Sequence, residues 1–140
     1  MRALTLADSL RFLRYAYAAG LGIVALLIVA AETLAPRGAT EPRAIVNLLY
    51  LLAGLDGMIA LVYRRKFSGA AAETLRENPE DAAALVSWMK GQLVPLPMAL
   101  AMGIMGLGAR VAGASTLRAA PIYVVSVIVL LALRPSEPGS

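Results

Sequence analysis

The chain of 140 residues contains no cysteine and no histidine. These absences remove disulfides, thiolate metal sites, histidine-ligated haem and every nucleophilic system built on cysteine or histidine. They leave the redox compartment open, because a chain without thiols suits oxidising and reducing surroundings alike. Charge is also scarce. Only 16% of residues are charged, whereas 59% are hydrophobic, and mean hydropathy is +0.72. A soluble domain has roughly 45–50% apolar residues. The surplus exceeds what one small core can bury, so much of it is expected to face lipid. The net charge is +4. No basic stripe carries interleaved aromatics, so nucleic acid is not an expected partner. Lys and Arg instead flank apolar runs, where they set orientation and meet anionic headgroups.

Four such runs are present. Between Arg14 and Glu32 lies the uncharged YAYAAGLGIVALLIVAA. With its flanks it reaches about 20 residues, enough to cross about 30 Å of hydrocarbon. Tyr15 and Tyr17 suit the interface at its start, and Pro36 and Gly38 end it. Its apolar region is long for a cleaved signal peptide and three more spans follow, so a retained helix over 15–35 is expected. The second span, 42–63, opens on Thr40-Glu41-Pro42 and stops at Arg64-Arg65-Lys66. The third has the clearest start. Asn78-Pro79-Glu80-Asp81 offers an N-cap, a first-turn proline and two acids at the positive dipole end. It is expected to enter the membrane near Trp88 and to span 84–110, with 19 uncharged residues between Lys90 and Arg110. The fourth, 117–134, is short, and its VVSVIV run is poor for a helix in water. In lipid a lone span must still be helical, because unpaired backbone groups there cost several kcal/mol.

The expected fold is therefore all-α: one polytopic domain over 1–140, with four transmembrane helices in an antiparallel bundle. Residues 1–14 are a possible interfacial helix with Leu4, Leu10 and Leu13 on its apolar side. Residues 135–140 read as a disordered tail. Counting Lys and Arg predicts both termini in the cytoplasm of an inner (cytoplasmic) membrane. Arg2, Arg11, Arg14, Arg64, Arg65, Lys66, Arg76 and Arg134 would then lie inside, with Lys90 nearby. Arg37, Arg43, Arg110 and Arg118 would lie outside.

Within this frame Asp56 is the sharpest candidate for chemistry. It lies eight residues before Arg64, about 12 Å along the axis at 1.5 Å per residue. A carboxylate at that depth is expensive unless paired, protonated or wet. One reading is an ion or proton site; the other is a structural polar contact between helices. Lys90 is the expected partner of Asp56; the competing view has Lys90 snorkelling to headgroups while Asp56 is protonated. Pro95 and Pro97 break the third span and free the carbonyls of Gly91 and Leu93. Beside Lys90 and Gln92 these could form a small polar pocket, although a simple packing kink is the commoner outcome. Glu32 is expected to pair at the outer rim with Arg110, Arg118 or Arg43, and Asn47 to hydrogen-bond between helices. Ala99, Gly103 and Gly106 form small-residue ridges that serve internal packing or oligomer contacts. No residue set suggests a metal or cofactor.

From Asn78 to Pro135 the chain resembles small bacterial four-helix integral membrane proteins. The matching features are the NPEDAA helix start, Gln92-Leu93, Ala99-Leu100-Ala101, Ile104, Gly108, Arg110, Gly113 and Arg134-Pro135. The resemblance implies a shared fold and no particular activity. The third helix also looks like the acid-bearing helix of ATP-synthase proteolipid subunits, ALAEAIALYGL, but Met102 stands where the ion-binding glutamate would be. Rotor function is thus not implied.

Three functions remain. The leading expectation is a non-catalytic membrane subunit or scaffold, packing with other membrane subunits or with itself. The alternative is an ion- or proton-coupled transporter or channel using Asp56, Lys90 and Gln92. An enzyme is not expected, since Ser87 and Ser126 lack an activating base and Asp56 and Lys90 are the only deep ionisable groups.

Overall fold

A computed structural model describes residues 5–36, 43–135 and 137. The anticipated cap at Thr40-Glu41-Pro42, and most of the expected tail, lie outside these residues. The described residues form five helices, without strands: α1 (Leu6–Leu34), α2 (Arg43–Glu77), α3 (Ala82–Leu93), α4 (Pro95–Val111) and α5 (Thr116–Ala132). Three stretches are long and apolar enough to cross a membrane: Leu6–Leu34, Arg43–Glu77 and Ala82–Val111, the last combining α3 and α4. Thr116–Ala132 is apolar but shorter.

The α1 helix begins well before the charge pattern suggests. Thr5 caps it, accepting the Asp8 amide at 3.2 Å and donating its hydroxyl to Asp8 Oδ2 at 2.7 Å. Of the possible interfacial helix over 1–14, residues 6–14 are the first turns of α1 itself, while Leu4 lies outside the described residues. Leu10 and Leu13 are buried with Ala71, Leu75, Leu85 and Trp88 in a small core at this end of the bundle.

The α2 helix likewise overruns its anticipated end at residue 63, continuing through Lys66 to Glu77. The apolar run stops at Arg64, but RRKFSGAAAETLRE contains no proline and is rich in good helix formers, so nothing stops the backbone there. At 1.5 Å per residue the whole helix is about 52 Å long, well beyond the hydrocarbon thickness.

This overrun also moves the start of α3. Asn78 donates its amide to Thr74 O at 2.8 Å and so closes α2, while its Oδ1 accepts the Glu80 amide at 3.3 Å across the Pro79 turn. The N-cap is therefore Asp81 and not Asn78. Its Oδ1 accepts the Ala84 amide at 2.9 Å.

Between α4 and α5 the chain turns at Gly113, whose φ of 104° suits glycine. The Ala114 amide returns to Ala109 O at 2.9 Å, and the Gly113 amide to Arg110 O at 3.0 Å. This C-cap geometry satisfies the last carbonyls of α4. Ser115 then caps α5.

The α4 helix lies at the centre, in contact with all four other segments. Ala99, Met102 and Ala109 are fully buried. Its small residues are spent inside the bundle. Gly103 faces Val24 and Leu27 of α1, and Gly106 lies under the Tyr123 ring of α5. Gly57 of α2 faces Met102 and Val129. Ser126 donates to Ala99 O at 2.8 Å. Large apolar side chains instead cover the outside, among them Leu26 and Val29 on α1, Leu51 and Met58 on α2, and Val124 and Ile128 on α5. An apolar exterior around a small-residue interior is the arrangement lipid favours.

Candidate functional site

Polar groups gather at two levels of the bundle, with Asp56 between them. At one end Glu32 closes α1 against the junction of α4 and α5. Arg110 Nε donates to Glu32 Oε1 at 2.9 Å and its Nη2 to Oε2 at 3.0 Å, a two-point pair in which the arginine side chain is only 12% exposed. Thr116 Oγ1 adds a hydrogen bond to Oε2 at 3.0 Å, and Arg110 Nη1 donates to Ala114 O. The planar guanidinium fork suits this carboxylate geometry, which a lysine could not reproduce. Arg118 enters the rim through its backbone, its carbonyl accepting the Tyr50 hydroxyl. Sequence reading missed Thr116. The signal was the Ser115-Thr116 pair opening a helix directly beyond Arg110.

Asp56 is half-buried, and its Oδ2 is buried without a hydrogen-bond partner. Its neighbour Gly57 packs on Met102 and Val129. Lys90 does not reach it: Lys90 is exposed and forms no ion pair with Asp56. The reason is register. The close contact between α2 and α3 joins Gly91 to Ser68, which puts Lys90 level with Ser68, 12 residues and about 18 Å from Asp56. Lys90 also lies on the outer side of α3, opposite the buried stripe Ala84, Leu85, Trp88, Gly91 and Gln92.

At Pro95 and Pro97 the chain passes from α3 to α4 without an unwound segment. Val94 keeps right-handed helical dihedrals of −62° and −37°, and its amide still reaches Lys90 O at 3.0 Å. Pro95 is buried and Pro97 faces outward.

Gln92 is the residue that marks a site. It is only 4% exposed, and neither amide atom has a hydrogen bond; its Oε1 is fully buried. With Trp88, one turn earlier, it forms one wall of a crevice of about 350 Å³. The facing wall is α2, where Arg65, Ala72 and Arg76 share one helix face and Ser68 and Gly69 keep the floor low. Arg64 stands at one edge, held by hydrogen bonds from Nη2 to Arg134 O at 2.8 Å and from Nη1 to Ala132 O. These cap the carbonyl end of α5, where a cation is favoured. Glu137 also lines the crevice and pairs with Arg14 at 3.7 Å. The sequence had shown Arg64, Arg65 and Arg76 only as orientation signals. The spacing 65, 69, 72, 76 on a helix continuing past residue 63 would have shown their common face.

No group of acids among the described residues is arranged to hold a metal ion. Compared with protein-family models, curated proteins and solved structures, the chain matches none.

Proposed function

We propose that this chain is a four-span antiparallel membrane bundle acting as a non-catalytic subunit or scaffold, with both termini on the cytoplasmic side of an inner membrane. The observation that carries the reading is the outward face of α2. Leu48, Leu51, Leu55, Met58 and Val62 are all exposed there, at spacings of 3, 4, 3 and 4 residues. That heptad spacing fits the packing of a further helix, on a face that otherwise meets lipid. The opposite side of α2, with Val46, Ala53, Gly57 and Ala60, already faces the bundle. The outer seam is thus a second packing face, and its occupant is a transmembrane helix of an assembly partner or of another copy. The small residues Gly103 and Gly106 do not serve this purpose, since α1 and α5 already cover them.

The chain has no native cysteine, so single-cysteine variants report without background. Cross-linking in native membranes from Leu55→Cys should give a discrete adduct, while Leu26→Cys on the outer face of α1 should give none. Equal behaviour of the two positions would contradict an α2 packing face.

A second reading rests on Asp56, whose Oδ2 lies without a partner in the apolar stretch of α2. A carboxylate held there serves ion or proton transfer when water reaches it. Flux in proteoliposomes that disappears in Asp56→Asn would support transport; flux unchanged by that substitution would exclude Asp56 from it.

A further inference from the structure

The arginine-lined crevice between α2 and α3 has the chemistry of an anion site. Arg65 and Arg76 lie on its helical wall and Arg64 at its edge. Guanidinium groups bind phosphate oxygens through paired N–H donors. Opposite them Gln92 is almost wholly buried and lacks any partner. A buried amide normally finds a hydrogen bond, because leaving it without one costs about 1–3 kcal/mol. Gln92 Nε2 also has no acceptor, and a phosphate oxygen in the crevice would supply one, whereas the buried Oε1, itself an acceptor, gains nothing from it.

The position adds a second argument, which rests on the four-span reading above. Arg64 and Arg65 directly follow the uncharged stretch of α2 that ends at Tyr63. The crevice therefore opens where hydrocarbon gives way to headgroups. Trp88, the single tryptophan of the chain, lines it.

We propose that this crevice binds a phosphate group, whose oxygens accept hydrogen bonds from Arg65 and Gln92 with Arg76 at the mouth, and that its source is the phosphodiester headgroup of an anionic lipid. Arg64 positions the wall, since two of its nitrogens are committed to the end of α5. Glu137 places a carboxylate in the same crevice and competes with the ligand.

Trp88 supplies the readout. The full chain in phosphatidylcholine nanodiscs is titrated, by tryptophan emission, with phosphatidylglycerol in the disc or with inorganic phosphate in solution against chloride at matched ionic strength. Phosphatidylglycerol should give a saturable change. Losing one charge-assisted hydrogen bond lowers affinity about tenfold or more, and Arg65→Gln should do so. Lys66→Gln removes the same charge one residue away and outside the crevice, and should change affinity little. Gln92→Leu leaves the charge intact and removes an unpartnered buried amide, so it should fold and bind severalfold more weakly. Glu137→Gln should tighten binding.

A response to inorganic phosphate alone, lost in Arg65→Gln, would overturn the lipid source and keep the phosphate site. Equal losses in Arg65→Gln and Lys66→Gln, with Gln92→Leu unchanged, would reduce the effect to diffuse surface charge and overturn the site. No response to either ligand would overturn it as well. A seam at α2 that fails to cross-link leaves each of these outcomes readable, because the crevice belongs to a single chain.

Discussion

Gly91 of α3 lies so close to Ser68 of α2 that a β-carbon at position 91 would sit 2.6 Å from the Ser68 backbone nitrogen. This contact fixes the vertical register of α3 on α2. It places Trp88 and Gln92 opposite Ser68 and Ala72, and so builds the crevice. It also places Lys90 far from Asp56.

Gly91→Ala should consequently be among the most damaging small substitutions in the chain. The obstacle is backbone and cannot rotate away, so the helices must separate. Overpacking of this kind costs about 1–3 kcal/mol. Thermal unfolding in detergent should show the loss, and Trp88 emission should shift because the crevice wall moves. An unchanged melting temperature would place α3 at a different register.

Two other glycines make a matched pair. A β-carbon on Gly106 would enter the Tyr123 ring, whereas one on Gly54 meets nothing within 4 Å. Gly106→Ala should destabilise by about 1–3 kcal/mol. Gly54→Ala, in an exposed helix interior, should be neutral or stabilising by up to about 1 kcal/mol. Denaturant titration of both variants in the same detergent checks the contrast.

Ser126 donates a buried hydrogen bond from α5 to Ala99 O in α4. Hydrogen bonds between membrane helices contribute about 0.6–2 kcal/mol. Ser126→Ala should lose an amount in that range, and Ser126→Val should lose more, since it adds bulk to a site with no exposure.

At the other end, Arg110 holds Glu32 through two hydrogen bonds and Ala114 O through a third. Arg110→Lys should lower thermal stability nearly as much as Arg110→Gln, because an ammonium cannot reproduce the two-point fork. Glu32→Gln should be milder, since an amide still offers one acceptor to Arg110. A large stability difference between the lysine and glutamine variants at 110 would show that charge, and not geometry, holds this rim.

What could be read in the sequence divides along physical lines. Apolar runs locate the stretches that suit lipid, because composition alone decides where a segment is comfortable. Charge does not decide where a helix stops. Arg64-Arg65-Lys66 closed the apolar run, yet α2 continued to Glu77, since no proline or cap intervened. Asn78 suits a cap, but α2 claimed its amide, leaving that role to Asp81. Glu32 was legible as a rim acid with several candidate arginines, and only the α4–α5 turn selects Arg110 and brings Thr116 beside it. The expected approach of Asp56 and Lys90 failed because pairing across helices depends on register, which the close contact at Gly91 sets. Gln92 was noticed beside the prolines, but its true neighbours come from the part of α2 beyond the apolar run.

If the helices cross the bilayer as proposed, Glu77 and Val111 lie at opposite faces. Single-cysteine variants Glu77→Cys and Val111→Cys, probed in spheroplasts and in inside-out vesicles with a membrane-impermeant maleimide, test it directly. Labelling of residue 111 is expected only from the outside and of residue 77 only from the cytoplasmic side. Labelling of both positions from the same side would contradict it.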